Sequence, residues 1–283
     1  MSSVIKKPDV PLIIFFVLSL VFVLFLATPA ILANYGIIEL VIPFEPILIV
    51  GSWTPNFAAI LVLLFFIKKR GAVRQLFKRW LMWRESPFWY LIAVSPLLVA
   101  ALAAALYHFV DGTPPETTEP VSVVLLAALF FLALITGAMG EELGWRGFAL
   151  PRLQTKTTAF WSSIIVGTIW GFWHLPLWFA GLGWEEMHFG LFVYNCVAIS
   201  IIMTWVCNNT KGNLLLITMM HLFYNFGWNL MALLWLVPMG KTLVYQAILL
   251  TVYVIVVDLV YGTERLSKMD GVPVNHQTKE WLG

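Results

Sequence analysis

From Val10 to Ile38 the chain runs without a charged side chain, and uncharged apolar stretches recur along its length. About twenty consecutive apolar residues suffice for a helix to cross about 30 Å of hydrocarbon. Hydrophobic residues make up 60% of the sequence and charged residues 11%, with a mean hydropathy of +0.87, well outside the range of soluble domains. A closed barrel would instead show alternating segments of about ten residues. The pattern predicts an all-α, polytopic membrane helix bundle.

Eight transmembrane helices are expected, over about residues 11–33, 46–67, 88–109, 121–140, 161–180, 189–207, 213–236 and 241–261. Basic residues orient them. Lys6 and Lys7, then Lys68, Lys69, Arg70, Arg74, Lys78, Arg79 and Arg84, then Arg146, Arg152, Lys156 and Lys211 all fall on one side. The opposite loops carry Glu39, Glu45, Asp111, Glu116, Glu119, Glu185 and Glu186, with Lys241 their only basic residue. The positive-inside bias then puts both termini in the cytoplasm of a multi-pass protein of the plasma or inner membrane. The first stretch is too long for a signal-peptide core and reads as a retained span.

The net charge of +2 implies no nucleic-acid partner. Cys196 and Cys207 fall within one expected span and suit neither a disulfide framework nor a metal-binding CxxC. Residues 1–283 read as a single membrane-embedded domain. Its parts are a motif-bearing core over about 121–236, a basic interfacial connector over about 68–87 and a polar tail over about 263–283, expected to be poorly ordered. Trp53, Trp89 and Trp184 near span ends read as interface anchors.

Against this apolar background, Glu141-Glu142-Leu143-Gly144-Trp145-Arg146 ends an otherwise uncharged run from Val121. Each ionised group at bilayer depth costs about 2.5–3.5 kcal/mol on insertion scales, so intramembrane acids and bases are functional candidates. On a helix Glu142 and Arg146 share a face and can pair, whereas Glu141 points about 100° away and is left for other work. His174 precedes Pro176, which opens the helix locally. His221 and Asn225 lie four apart on one face of the seventh span. A carboxylate and an imidazole can deprotonate water, and His with Asn can stabilise an oxyanion. Glu141, His174 and His221 could equally hold a divalent metal such as zinc with an open water position. Packing histidines and polar glue between helices are the structural alternatives.

These residues resemble the CAAX prenyl protease 2 and bacteriocin-processing (CPBP, or Abi) group of intramembrane proteases, whose pattern is EExxxR, FxxxH and HxxxN. Glu141 to Arg146 matches the first, continued by Gly147-Phe148-Ala149-Leu150-Pro151-Arg152-Leu153. Trp170-Gly171-Phe172-Trp173-His174 gives the second, with Trp170 where the family usually has Phe. His221-Leu222-Phe223-Tyr224-Asn225 matches the third in full. The resemblance covers about 128–229 and implies an intramembrane endopeptidase acting on membrane-associated protein or peptide substrates, CAAX-type or bacteriocin-type. It further implies that Glu141 and His174 activate the attacking water, that His221 and Asn225 stabilise the oxyanion, and that Glu142 and Arg146 support the site. Such a mechanism allows zinc without requiring it. HExxH, GxSxG and GxGD signatures are missing.

The competing classes are a transporter or channel using the same polar residues and a non-catalytic immunity or scaffold protein. Asp258 reads as a structural cap or interface contact rather than a relay. Glu185, Glu186 and His188 read as solvated charges, the sequon Asn208-Asn209-Thr210 as inert, and His108 and His276 as incidental. One geometric demand follows from the drawn spans. Glu141 and His174 converge only if the fourth helix runs deep or the fifth starts late, near Ser163.

Overall fold

The computed structural model describes residues 9–40, 45–112, 121–235 and 237–269. Every regular element among the described residues is helical. Lys6, Lys7, Glu116, Glu119 and His276, and the side chain of Glu45, lie outside this description. In chain order the helices are α1 (Val10–Asn34), α2 (Glu45–Ser52), α3 (Thr54–Leu61, widening into π turns over Val62–Ile67), α4 (Ala72–Lys78) and α5 (Pro87–Asp111). They continue as α6 (Val123–Leu153), α7 (Ala159–Trp173), α8 (Phe189–Asn209), α9 (Leu214–Trp235) and α10 (Met239–Tyr261).

Helix starts are encoded locally. Side chains of Asp9, Ser122, Thr158 and Asn213 accept from backbone N–H groups three residues ahead, at 3.1–3.3 Å, satisfying donors that a helix start leaves open. Ser86 precedes Pro87 at the first position of α5, where a missing N–H costs nothing. Each of the eight expected segments contains a helix. By length and composition five can cross a membrane, namely α1, α5, α6, α8 and most of α10, and a sixth if the bent pair α2–α3, broken by 44°, is one span.

The exceptions have physical causes. α9 has 22 residues, but His221, Asn225 and Asn229 lower its hydropathy. α7 has only 15 residues and stops at Trp173 rather than running to 180, because Pro176 disfavours helical backbone before it and the chain turns into a short 3₁₀ segment, Leu175–Phe179.

Of the two ways to bring Glu141 and His174 together, the fifth span does not start late, near Ser163, since α7 begins at Ala159, whereas the fourth runs deep. α6 does not end near 140 but continues through the charged motif to Leu153, 31 residues in all. Glu141 therefore lies about 18 Å along the axis from the Leu153 end, and Trp170 about 17 Å from the Ala159 end of α7, given 1.5 Å per residue. The two helices approach the site from the same end of the bundle and reach equal depth.

Two outlying segments pack more tightly than their composition suggests. The tail expected to be poorly ordered from Thr263 is docked as far as Ser267. The carbonyls of Thr263 and Glu264 accept from Phe160 and Ala159 at the α7 start, and Asn208 and Asn209 donate to the carbonyls of Arg265 and Leu266. The sequon amides are thus engaged in structure. In the connector, Lys68, Lys69, Arg70, Arg74, Lys78 and Arg84 are exposed, but Arg79 is buried. It donates to the carbonyls of Gly212 at 2.7 Å, Gly147 at 2.8 Å and Arg146 at 3.3 Å, so it anchors the connector rather than signalling topology at the surface. Burial pulls its pKa down, with the Cys207 thiol opposing.

Candidate active site

Glu141 and Glu142 occupy a single tight turn, Met139–Glu142, set between two π-turn stretches of α6, Leu134–Ala138 and Leu143–Ala149. Such bulges recur at functional sites because they re-aim side chains from a continuous helix. Gly140 and Gly144 let the α2–α3 break press against this region. A Cβ on Gly140 would stand 2.8 Å from the Ser52 carbonyl oxygen, and one on Gly144 would stand 2.6 Å from that of Pro55.

Asn56 of α3 then bridges the carboxylate turn. Its Nδ2 donates to the Met139 carbonyl at 2.7 Å and its Oδ1 accepts from the Gly144 N–H at 3.0 Å, with the side chain fully buried. Trp53 donates its indole N–H to the Ile135 carbonyl at 2.9 Å, so this residue also braces α6. Asn56→Leu keeps the approximate volume and strands two buried backbone groups, each costing about 1–3 kcal/mol. We expect a lower thermal unfolding midpoint for this variant; an unchanged midpoint would remove the bracing role.

Trp170 lies at the centre of the constellation. Its indole N–H donates to Glu141 Oε2 at 2.5 Å, and its ring lies under the Arg146 guanidinium, 4.5 Å from the centroid, and 5.1 Å from the His221 ring, edge to face. Its carbonyl faces His174 Nδ1 at 2.8 Å. A carbonyl only accepts, so His174 Nδ1 carries the proton and Nε2 presents a lone pair. Glu141 is 2% exposed, and His174 is half-buried under a stacked Trp184 ring 5.9 Å away. Trp184 is therefore part of the site's wall.

The second carboxylate is structural in geometry. Glu142 Oε1 takes the Arg146 Nη1 donor at 2.9 Å and meets His221 Nδ1 at 2.7 Å, all three side chains being buried. This fixes the imidazole and turns its Nε2 away from Glu142. Asn225 projects from α9 on the same face, half-buried, and its Nδ2 approaches the α6 backbone at Gly137, where His221 Nε2 also arrives. The site residues expected from the sequence thus share one region between α6, α7 and α9. Among the described residues, no three His, Cys, Asp or Glu side chains are gathered into a group able to hold a metal ion. The Glu141, His174 and His221 trio does not form such a group, and the loop residues Glu185, Glu186 and His188 do not either; His188 instead caps α8 by accepting from Leu191 N–H.

Sequence reasoning missed Asn56 and underestimated Trp170. Asn56 is the one carboxamide in the span over 46–67, and an amide in hydrocarbon needs partners, which is the signal that marks it. Position 170 reads as an aromatic packing residue, but tryptophan adds an N–H that phenylalanine lacks. Trp170→Phe should preserve the ring contacts while leaving the buried Glu141 without this donor, lowering turnover and also the thermal unfolding midpoint. Turnover equal to wild type would make the indole N–H dispensable.

The all-helical bundle thus gathers a buried glutamate pair, two histidines from separate helical segments and an adjacent carboxamide. Residues 122–227 match the family model described as type II CAAX prenyl endopeptidase Rce1-like. The chain is 33% identical over 150 residues, half of its length, to CAAX prenyl protease 2 of Methanococcus maripaludis. It spans about half the length of that curated relative, 53%. On these findings the motif-bearing part of the chain is similar to type II CAAX prenyl endopeptidases.

Proposed function

We propose that the protein is an intramembrane endopeptidase that hydrolyses a peptide bond near the end of a membrane-associated, CAAX-type protein or peptide in the plasma or inner membrane. The observation that carries this reading is the convergence on Trp170 of a buried carboxylate, an imidazole with a free lone pair and a second imidazole backed by a carboxamide. Glu141 takes a proton from water while His174 Nε2 accepts the water's second hydrogen bond. The resulting hydroxide attacks the scissile carbonyl carbon, and His221 Nε2–H and Asn225 Nδ2–H donate to the oxyanion. With Nδ1 on a carboxylate, this role requires His221 to carry protons on both nitrogens. Glu141 then returns its proton to the leaving amine as the C–N bond breaks. No step is routed through a metal.

The reading keeps a single domain with cytoplasmic termini, and one contact fits it. Asp9 at the α1 start pairs with Arg152 near the α6 end at 3.2 Å, which keeps these ends on one side. The site then opens to substrates arriving from that leaflet. The test compares N-terminal and C-terminal peptide profiles of membranes from cells expressing wild type or Glu141→Gln at matched abundance. Products present only with wild type support proteolysis and name the substrates. Indistinguishable profiles from two folded proteins would move the reading to transport or to a binding role.

A further inference from the structure

α6 carries four glycines along the site, at 137, 140, 144 and 147, and three of them are explained by packing. Added Cβ atoms at Gly140 and Gly144 would strike the backbone of the α2–α3 break, and one at Gly147 would meet the Leu76 side chain at 2.7 Å. Gly137 differs in kind. A Cβ there would stand 2.4 Å from Asn225 Nδ2 and 3.4 Å from His221 Nε2, and it would meet no backbone closely. The space that glycine leaves empty is therefore the space into which both hydrogen-bond donors reach.

The structure assigns to Gly137 a positioning role: by lacking a side chain it lets the Asn225 carboxamide lie beside His221 Nε2, so that the two donors converge on one point. This inference rests on the proposed hydrolytic reading and adds a residue outside the three motifs. The physical basis is steric. Asn225 is half-buried on α9 and meets the added Cβ with the far end of its side chain, so a methyl at 137 displaces the amide rather than α6. Gly137→Ala should then act through Asn225 alone. Loss of one such donor lowers kcat by about 10²–10³-fold.

The experiment uses the purified full-length chain, a prenylated peptide ending in Cys-aliphatic-aliphatic-X as probe, and the variants Glu141→Gln, Asn225→Ala, Gly137→Ala and the Asn225→Ala/Gly137→Ala pair. Expected are a kcat for Gly137→Ala lowered to near that of Asn225→Ala, an unchanged KM, and no further loss in the double variant, since coupled residues are non-additive. Wild-type turnover by Gly137→Ala, or losses that multiply in the double variant, would overturn the role. Cleavage by Glu141→Gln at the wild-type rate would instead remove Glu141 from the chemistry, and no cleavage by the folded wild type would overturn the hydrolytic reading itself. If Gly137→Ala does not fold, thermal unfolding of the double variant decides: recovery of folding once the Asn225 amide is gone supports the contact, and continued failure refutes it.

Discussion

Glu141→Gln is expected to lower kcat about 10²–10⁴-fold, the contribution of a positioned general base, while leaving the thermal unfolding midpoint close to wild type. The substitution changes one oxygen to an amide nitrogen. The remaining amide oxygen can still accept from the Trp170 indole, so the hydrogen bond that holds the side chain survives while its capacity to take a proton from water is lost. The separation of the two readouts is the content of the prediction. A variant that loses turnover and folding together would make Glu141 a structural residue, and one that keeps turnover would remove it from the chemistry.

Glu142→Ala should show the reverse order of effects. Its carboxylate holds Arg146 and His221 at 2.9 and 2.7 Å, and none of the three reaches solvent appreciably. Removing it leaves a guanidinium buried and unpaired, and breaking such a pair costs about 3–5 kcal/mol. The expected outcome is a large fall in the unfolding midpoint, with poor recovery of folded protein. Replacing both partners, as Glu142→Met with Arg146→Leu, should recover much of that stability because no lone charge remains. It should not recover turnover, because His221 would still lack its anchor. A stable Glu142→Ala protein would contradict the burial on which the argument rests.

How much of this was legible beforehand depends on the physics of each element. The apolar runs fixed helical class and approximate positions because backbone groups in hydrocarbon must bond within their own segment. The Glu142–Arg146 pair follows from four-residue spacing alone. Other features depend on contacts distant in sequence. The continuation of α6 to Leu153 puts charge inside a helix, against the composition rule used to end the span, and it is stabilised by Asn56 and Arg79 from other elements. The tail after Thr263 looks polar and unstructured, but its carbonyls meet the N–H groups at the α7 start. Trp170 was visible as an aromatic; only its neighbours show that its N–H matters. The grouping of His221 Nε2 and Asn225 Nδ2 at Gly137 needed the third dimension altogether.

The equal depth of Glu141 and Trp170, about 17–18 Å from the end of the bundle where α6 finishes and α7 begins, sets a reach requirement. A fully extended chain advances at most about 3.3–3.6 Å per residue, so on the proposed function about five residues would have to thread inward before a scissile bond entering from that end meets the glutamate. Proteins whose ends are folded or too short to extend this far would be spared whatever their sequence. On the proposed function, the lengths of α6 and α7 between that end and the site would act as a ruler on accessible tails, a form of selectivity that resides in helix length rather than in any pocket.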